Sequence, residues 1–111
     1  MLVGILLSFP SHLETNPDNP CPVIEIECAD SEQAGKRITF RAIITGGPIE
    51  IKPTYKWKIS AGRIIKGQGT NTIVVDTRGA KAESIKAYVK ASGYNKACFV
   101  ELGCSVPLLR N

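Results

Sequence analysis

From Pro22 onward, apolar and polar residues alternate with a period of two, and turn residues interrupt the alternation at short intervals. Val23–Cys28 (VIEIEC) sets Ile24 and Ile26 against Glu25 and Glu27. Lys36–Thr45 places Ile38, Phe40, Ala42 and Ile44 on one face, with Arg37, Thr39 and Arg41 on the other. Thr54–Ser60 opposes Tyr55, Trp57 and Ile59 to Lys56 and Lys58. Thr72–Asp76 turns Ile73 and Val75 inward, and Ser84–Ser92 sets Ile85, Ala87, Val89 and Ala91 against Lys86, Tyr88 and Lys90. Ala97–Val106 closes the set, with Cys98, Val100, Leu102, Cys104 and Val106 on one parity, and Arg63–Lys66 carries a weaker strand pattern. Successive strand side chains point to opposite faces, so each segment reads as a strand with one buried and one wet side. Gly46-Gly47-Pro48, Gly67-Gln68-Gly69, Arg78-Gly79 and Ser92-Gly93 mark the reversals, where Gly supplies positive φ and Pro fixes it. Glu83–Lys90 has a faint helical spacing, but its Val, Tyr and alternating Lys favour a strand. These features predict an all-β, antiparallel sandwich of about seven strands with Phe40, Trp57, Ile73, Val89 and Val100 buried.

The length of 111 residues suits one domain with a modest core. The strands place the sandwich at 21–107, with an N-terminal segment over 1–20 and a tail over 108–111. Met1–Phe9 (MLVGILLSF) is apolar but too short to span a bilayer. It reads as the end of a secretory signal whose start lies upstream. Ser11–Pro20 is a polar, Pro/Asn-rich linker by composition. The net charge of +4 comes from basic residues spread singly along the chain. Such a distribution describes a solvated surface that tolerates an acidic partner, not a nucleic-acid-binding block.

Four cysteines, Cys21, Cys28, Cys98 and Cys104, change the picture further. An even count in a small β-rich chain favours disulfides and an oxidising compartment. Structural zinc usually takes tight C-x₂₋₄-C hooks. Here the spacings are six and five intervening residues, and the one histidine, His12, lies in the linker. No metal or other cofactor is expected.

The chain resembles the bacterial polycystic-kidney-disease-type (PKD) branch of immunoglobulin-like domains. The resembling features are CPVIEIEC, ITFRAIITGG followed by PTYKWKISAG, then GQGTNTIVVDT and SIKAYVKASG before the last cysteine pair, together covering Cys21 to Val106. The resemblance implies an immunoglobulin-like sandwich on the cell surface or in a secreted protein, used for adhesion, spacing or ligand presentation. The loop Pro48–Pro53 (PIEIKP) is more apolar and less acidic than that branch implies, so calcium binding is not carried over.

Pairing Cys21 with Cys28, or Cys98 with Cys104, would bridge an extended segment of roughly 20 Å, whereas a disulfide needs Cα atoms within about 7 Å. The bridges are therefore expected between the first strand and the last. The immunoglobulin-like resemblance implies a parallel sense, Cys21–Cys98 with Cys28–Cys104. The antiparallel choice, Cys21–Cys104 with Cys28–Cys98, stays open at this point.

A catalytic constellation is not expected. His12 has no scaffold to aim it, Glu25 and Glu27 suit the protection of an edge strand better than acid–base work, and the glycine pairs are turn glycines rather than a phosphate loop. The parity of Trp57 assigns it to the core rather than to sugar stacking. The better candidate is the outer face of the sheet holding the third, sixth and last strands. Lys56, Lys58, Lys86, Tyr88, Lys90 and Phe99 face outward there and suit an acidic glycan or a protein partner. The expected function is a non-catalytic, monomeric, extracellular or cell-surface module. The alternative is a structural subunit that polymerises by adding Met1–Phe9 to a neighbour's sheet edge.

Overall fold

The computed structural model describes residues 21–110, so the expectations for Met1–Phe9, His12 and the linker lie outside the described residues. Eight strands form in chain order: β1 (Val23–Glu27), β2 (Glu32–Gln33), β3 (Arg37–Thr45), β4 (Thr54–Ile59), β5 (Arg63–Lys66), β6 (Thr72–Asp76), β7 (Ser84–Ser92) and β8 (Glu101–Leu109). They make two four-stranded sheets, one in the order β1-β3-β6-β5 and the other in the order β2-β8-β7-β4. The pairs are antiparallel except β2 with β8, which run parallel. The main layout is that of a constant-type immunoglobulin sandwich, four strands over three. The eighth strand is β2, formed where the chain leaves β1 and crosses to the second sheet. At two residues it is too short for any periodicity to reveal.

The core is built from the alternation. Ile38, Phe40 and Ala42 of β3 and Ile73 and Val75 of β6 meet Trp57 of β4, Ile85, Ala87 and Val89 of β7, and Val106 and Leu108 of β8. The five residues expected in the core, Val100 included, are all buried. The rings of Phe40 and Trp57 lie across the two sheets with centroids 6.5 Å apart and planes tilted by 45°, a favourable arrangement for aromatic pairs.

Two expectations are corrected. The last strand continues to Leu109, and Leu108, assigned to the tail, is buried. Pro107 masks this continuation. The Leu108 N–H donates to Glu83 on the β7 side, so the missing Pro107 donor faces β2, whose pairing begins only at Leu108. Leu102 keeps the inward parity opposite Val89 but stays 40% exposed.

Each open side of the sandwich is closed by its own device. On the β1–β8 side, disulfides join Cys21 to Cys98 and Cys28 to Cys104, with Cα separations of 5.4 and 6.9 Å. The first and last strands are thus linked in the parallel sense. On the opposite side, the β5–β6 loop reaches over to β4, an edge strand. The Trp57 N–H donates to Gln68 Oε1 at 3.1 Å, and Gln68 Nε2 donates to the Trp57 carbonyl at 3.3 Å. The indole Nε1 of Trp57 donates to the Thr70 carbonyl at 2.8 Å. Gly67 starts this loop at φ 90°, and a Cβ there would overlap the Thr72 carbonyl oxygen, so only glycine permits the reversal that delivers Gln68.

Candidate binding face

Strand register determines which outward side chains meet. On the outer face of the second sheet, Lys56 of β4 stands beside Lys90 of β7, which stands beside Glu101 of β8. The next row holds Lys58, Tyr88 and Gly103, and the row after it holds Lys86 and Ser105. Beyond β4 that third row is completed by Ser60, whose Oγ accepts from the Lys86 N–H and whose N–H donates to the Lys86 carbonyl. Neighbouring rows on one face are about 7 Å apart by strand rise, and neighbouring strands about 4.8 Å. Four lysines thus share a patch of roughly two strands by three rows.

All four are exposed. The ion pairs among the described residues are Arg41 with Glu27 and Arg63 and Arg78 with Asp76, none of them on this face. The lysine ammonium groups therefore have no carboxylate partner within salt-bridge distance among the described residues. The face carries one carboxylate, Glu101, against four ammonium groups.

Tyr88 sits at the centre of the patch and is 37% exposed. Its cross-strand neighbour is Gly103, and a Cβ placed there would lie 3.6 Å from Tyr88 Cδ1. The tyrosine ring therefore lies partly over bare backbone. The φ of Gly103 is not in the left-handed region, so its backbone does not demand glycine, and the space above it is taken by the ring. Phe99 is 85% exposed but precedes β8 rather than belonging to it. The Ala91 N–H donates to the Val100 carbonyl, which extends the ladder and sets Phe99 one row beyond Lys90 and Glu101. There it borders a shallow hollow shared with Lys90, Tyr94, Lys96 and Glu101. The six residues expected on this face are thus placed by the structure along it, five on β4 and β7 and Phe99 at its end.

The alternation did not reveal a second cluster at the far end of β6. Asp76 is 4% exposed, and its carboxylate accepts from Arg78 Nε at 3.1 Å and Nη2 at 2.8 Å as well as from the Arg78 main-chain N–H at 2.9 Å. These hydrogen bonds, with the charges of Arg78 and Arg63, hold the Asp76 carboxyl below its ordinary range against the opposing effect of burial. Beside it, Thr77 Oγ1 donates to the Lys36 carbonyl at 2.6 Å and accepts from the Gly35 N–H at 2.8 Å. Both carboxylate oxygens of Asp76 are occupied, so the cluster fastens a corner of the fold and leaves no free base. The sequence signal was the Asp-Thr-Arg-Gly run itself, in which a carboxylate can bond to a main-chain N–H two residues on.

Among the described residues, no three His, Cys, Asp or Glu side chains gather in a manner suited to a metal ion, and no helix is long and apolar enough to cross a membrane. Compared with known proteins, the chain matches no family model, no curated protein and no solved structure.

Proposed function

We propose that this chain is a non-catalytic interaction module of an extracytoplasmic protein, of the PKD-type branch of immunoglobulin-like domains, that holds an acidic partner on the outer face of β4 and β7. The observation that carries the reading is the grouping of Lys56, Lys58, Lys86 and Lys90, exposed and without carboxylate partners among the described residues, on one rigid sheet face. Two inter-sheet disulfides fit an oxidising environment, and the strand order fits the branch to which the sequence segments are similar. A single surface lysine contributes little to affinity. Several acting together on an acidic polymer give useful binding, and that binding weakens with salt as the Debye length falls from about 10 Å at 0.1 M to about 3 Å at 1 M.

The test replaces the four lysines together with Gln and measures retention on an anionic polymer column across a salt gradient. The wild-type protein is expected to elute late at low salt and early at high salt. The variant is expected in the flow-through with an unchanged melting temperature, as exposed substitutions usually leave stability alone. Equal retention of variant and wild type would show that the face is only a solvated surface.

A further inference from the structure

We infer that the acidic partner of this face is an anionic polysaccharide, a chain of sugar acids that stacks on Tyr88 and Phe99 while its carboxylates meet the lysines. The inference rests on the reading of the lysine face given above and narrows it to one class of ligand. The first ground is the interleaving of charge and ring. Along the face the order is Lys86, Tyr88, Lys90 and then Phe99, with Lys56 and Lys58 alongside on β4. Ammonium groups alone would serve any polyanion. Exposed aromatic faces set between them add an apolar, flat surface that a sugar ring matches with its C–H face while its carboxylate remains at the rim.

The second ground is the flatness of the platform. Gly103 and Ser105 are the β8 neighbours of Tyr88 and Lys86, so in those two rows β8 raises nothing larger than a hydroxyl beside them. Tyr88 packs against the bare backbone of Gly103 and keeps 37% of its surface exposed. An acidic helix would seek a groove, and an acidic strand would seek a free sheet edge. The nearest edge, β4, has the main chain of Trp57 already occupied by Gln68. A flat face with rings and point charges instead suits a ribbon-like ligand lying on top.

The third ground is length. Tyr88 and the row holding Phe99 are separated by four residues of strand, about 14 Å. One ring cannot touch both, so the ligand that uses the whole face is an oligomer. The hollow beside Phe99 adds Lys96 at the end of this track.

The experiment measures the affinity of the whole protein at low salt for three probes matched in charge: oligogalacturonate, poly-L-glutamate and oligo-dT. Oligogalacturonate is expected to bind most tightly. Tyr88→Leu, which still covers Gly103 but lacks a π face, is expected to weaken oligogalacturonate about tenfold, by analogy with the loss of one stacking contact. The same variant is expected to change poly-L-glutamate binding by less than about twofold, since exposed charges carry that interaction. Tyr88→Phe is expected to bind oligogalacturonate like the wild type, and melting temperatures of both variants verify folding. Equal binding of oligogalacturonate and poly-L-glutamate, both indifferent to Tyr88→Leu, would overturn the sugar assignment and leave the lysine-face reading standing. Preference for oligo-dT would overturn it in favour of nucleobase stacking. Failure of all three probes to bind would remove the lysine-face reading itself.

Discussion

The contact between Gln68 and Trp57 offers a severe test of how this sandwich is closed. Gln68→Ala removes the acceptor for the Trp57 N–H at 3.1 Å and the donor to the Trp57 carbonyl at 3.3 Å. It also removes a weaker bond from the Gly69 N–H. A neutral hydrogen bond contributes about 0.5–1.5 kcal/mol net, with long ones at the weak end. The two bonds to Trp57 therefore account for about 1–2 kcal/mol. Freeing the exposed side chain returns some rotamer entropy and reduces this figure, while any failure of water to reach the Trp57 groups raises it. The expected loss is about 1–2 kcal/mol, a fall in melting temperature of roughly 5–15 °C for a domain of this size. Urea denaturation gives the stability change, and amide exchange gives its location, because the Trp57 N–H should exchange at least about tenfold faster if its partner is lost. Gln68→Glu sharpens the assay. At neutral pH its carboxylate still accepts from the Trp57 N–H but faces the Trp57 carbonyl without a proton to donate. Below a carboxyl pKa of about 4.3 the donor returns, and the gap to wild type should narrow. A loss in Gln68→Ala below about 0.3 kcal/mol, with unchanged exchange at Trp57, would refute the idea that this side chain substitutes for a neighbouring strand.

Two further outcomes concern the opposite side of the sandwich and its corner. The bridges close loops of 77 and 76 residues. With one bridge in place, however, the other constrains only the ring formed by 21–28 and 98–104, about 15 residues. Removing either pair by Cys→Ala should therefore cost about 3 kcal/mol, and removing both more than twice that on the chain-entropy model; equal stability of the single and double variants in denaturant titration would contradict this. Because the folded Asp76 carboxyl titrates below its ordinary range, its contribution is present above the unfolded value of about 3.9 and is lost as pH falls through the lower folded value. Wild type should be more stable than Asp76→Asn near pH 6, with the difference closing as pH drops below about 4, and a gap independent of pH would show that Asp76 acts only by shape.

The strands, their inward parity and the all-β class were legible in the sequence because alternation is a local property. A residue's face follows from its neighbours two positions away, and Phe40, Trp57, Ile73, Val89 and Val100 took their places accordingly. The linkage of the first strand to the last was legible as well, since an extended segment holds Cys21 and Cys28 too far apart to bond. The placement of Lys56, Lys58, Lys86, Tyr88 and Lys90 on one face required one thing more, the adjacency of β4 and β7, which the immunoglobulin-like resemblance supplied and the register realises. The same resemblance implied the parallel sense of the two bridges, which the structure carries. Tertiary structure alone decided the rest. The two-residue β2 exists because the chain crosses to the second sheet there, and the 40% exposure of Leu102 at an inward position is likewise set by packing and not by parity. The pairing of Gln68 with Trp57 left no trace in the residue pattern, because its partner is a main-chain N–H and C=O that every residue but proline carries. Which of those groups lack a strand neighbour is settled only when the order of strands in each sheet is set.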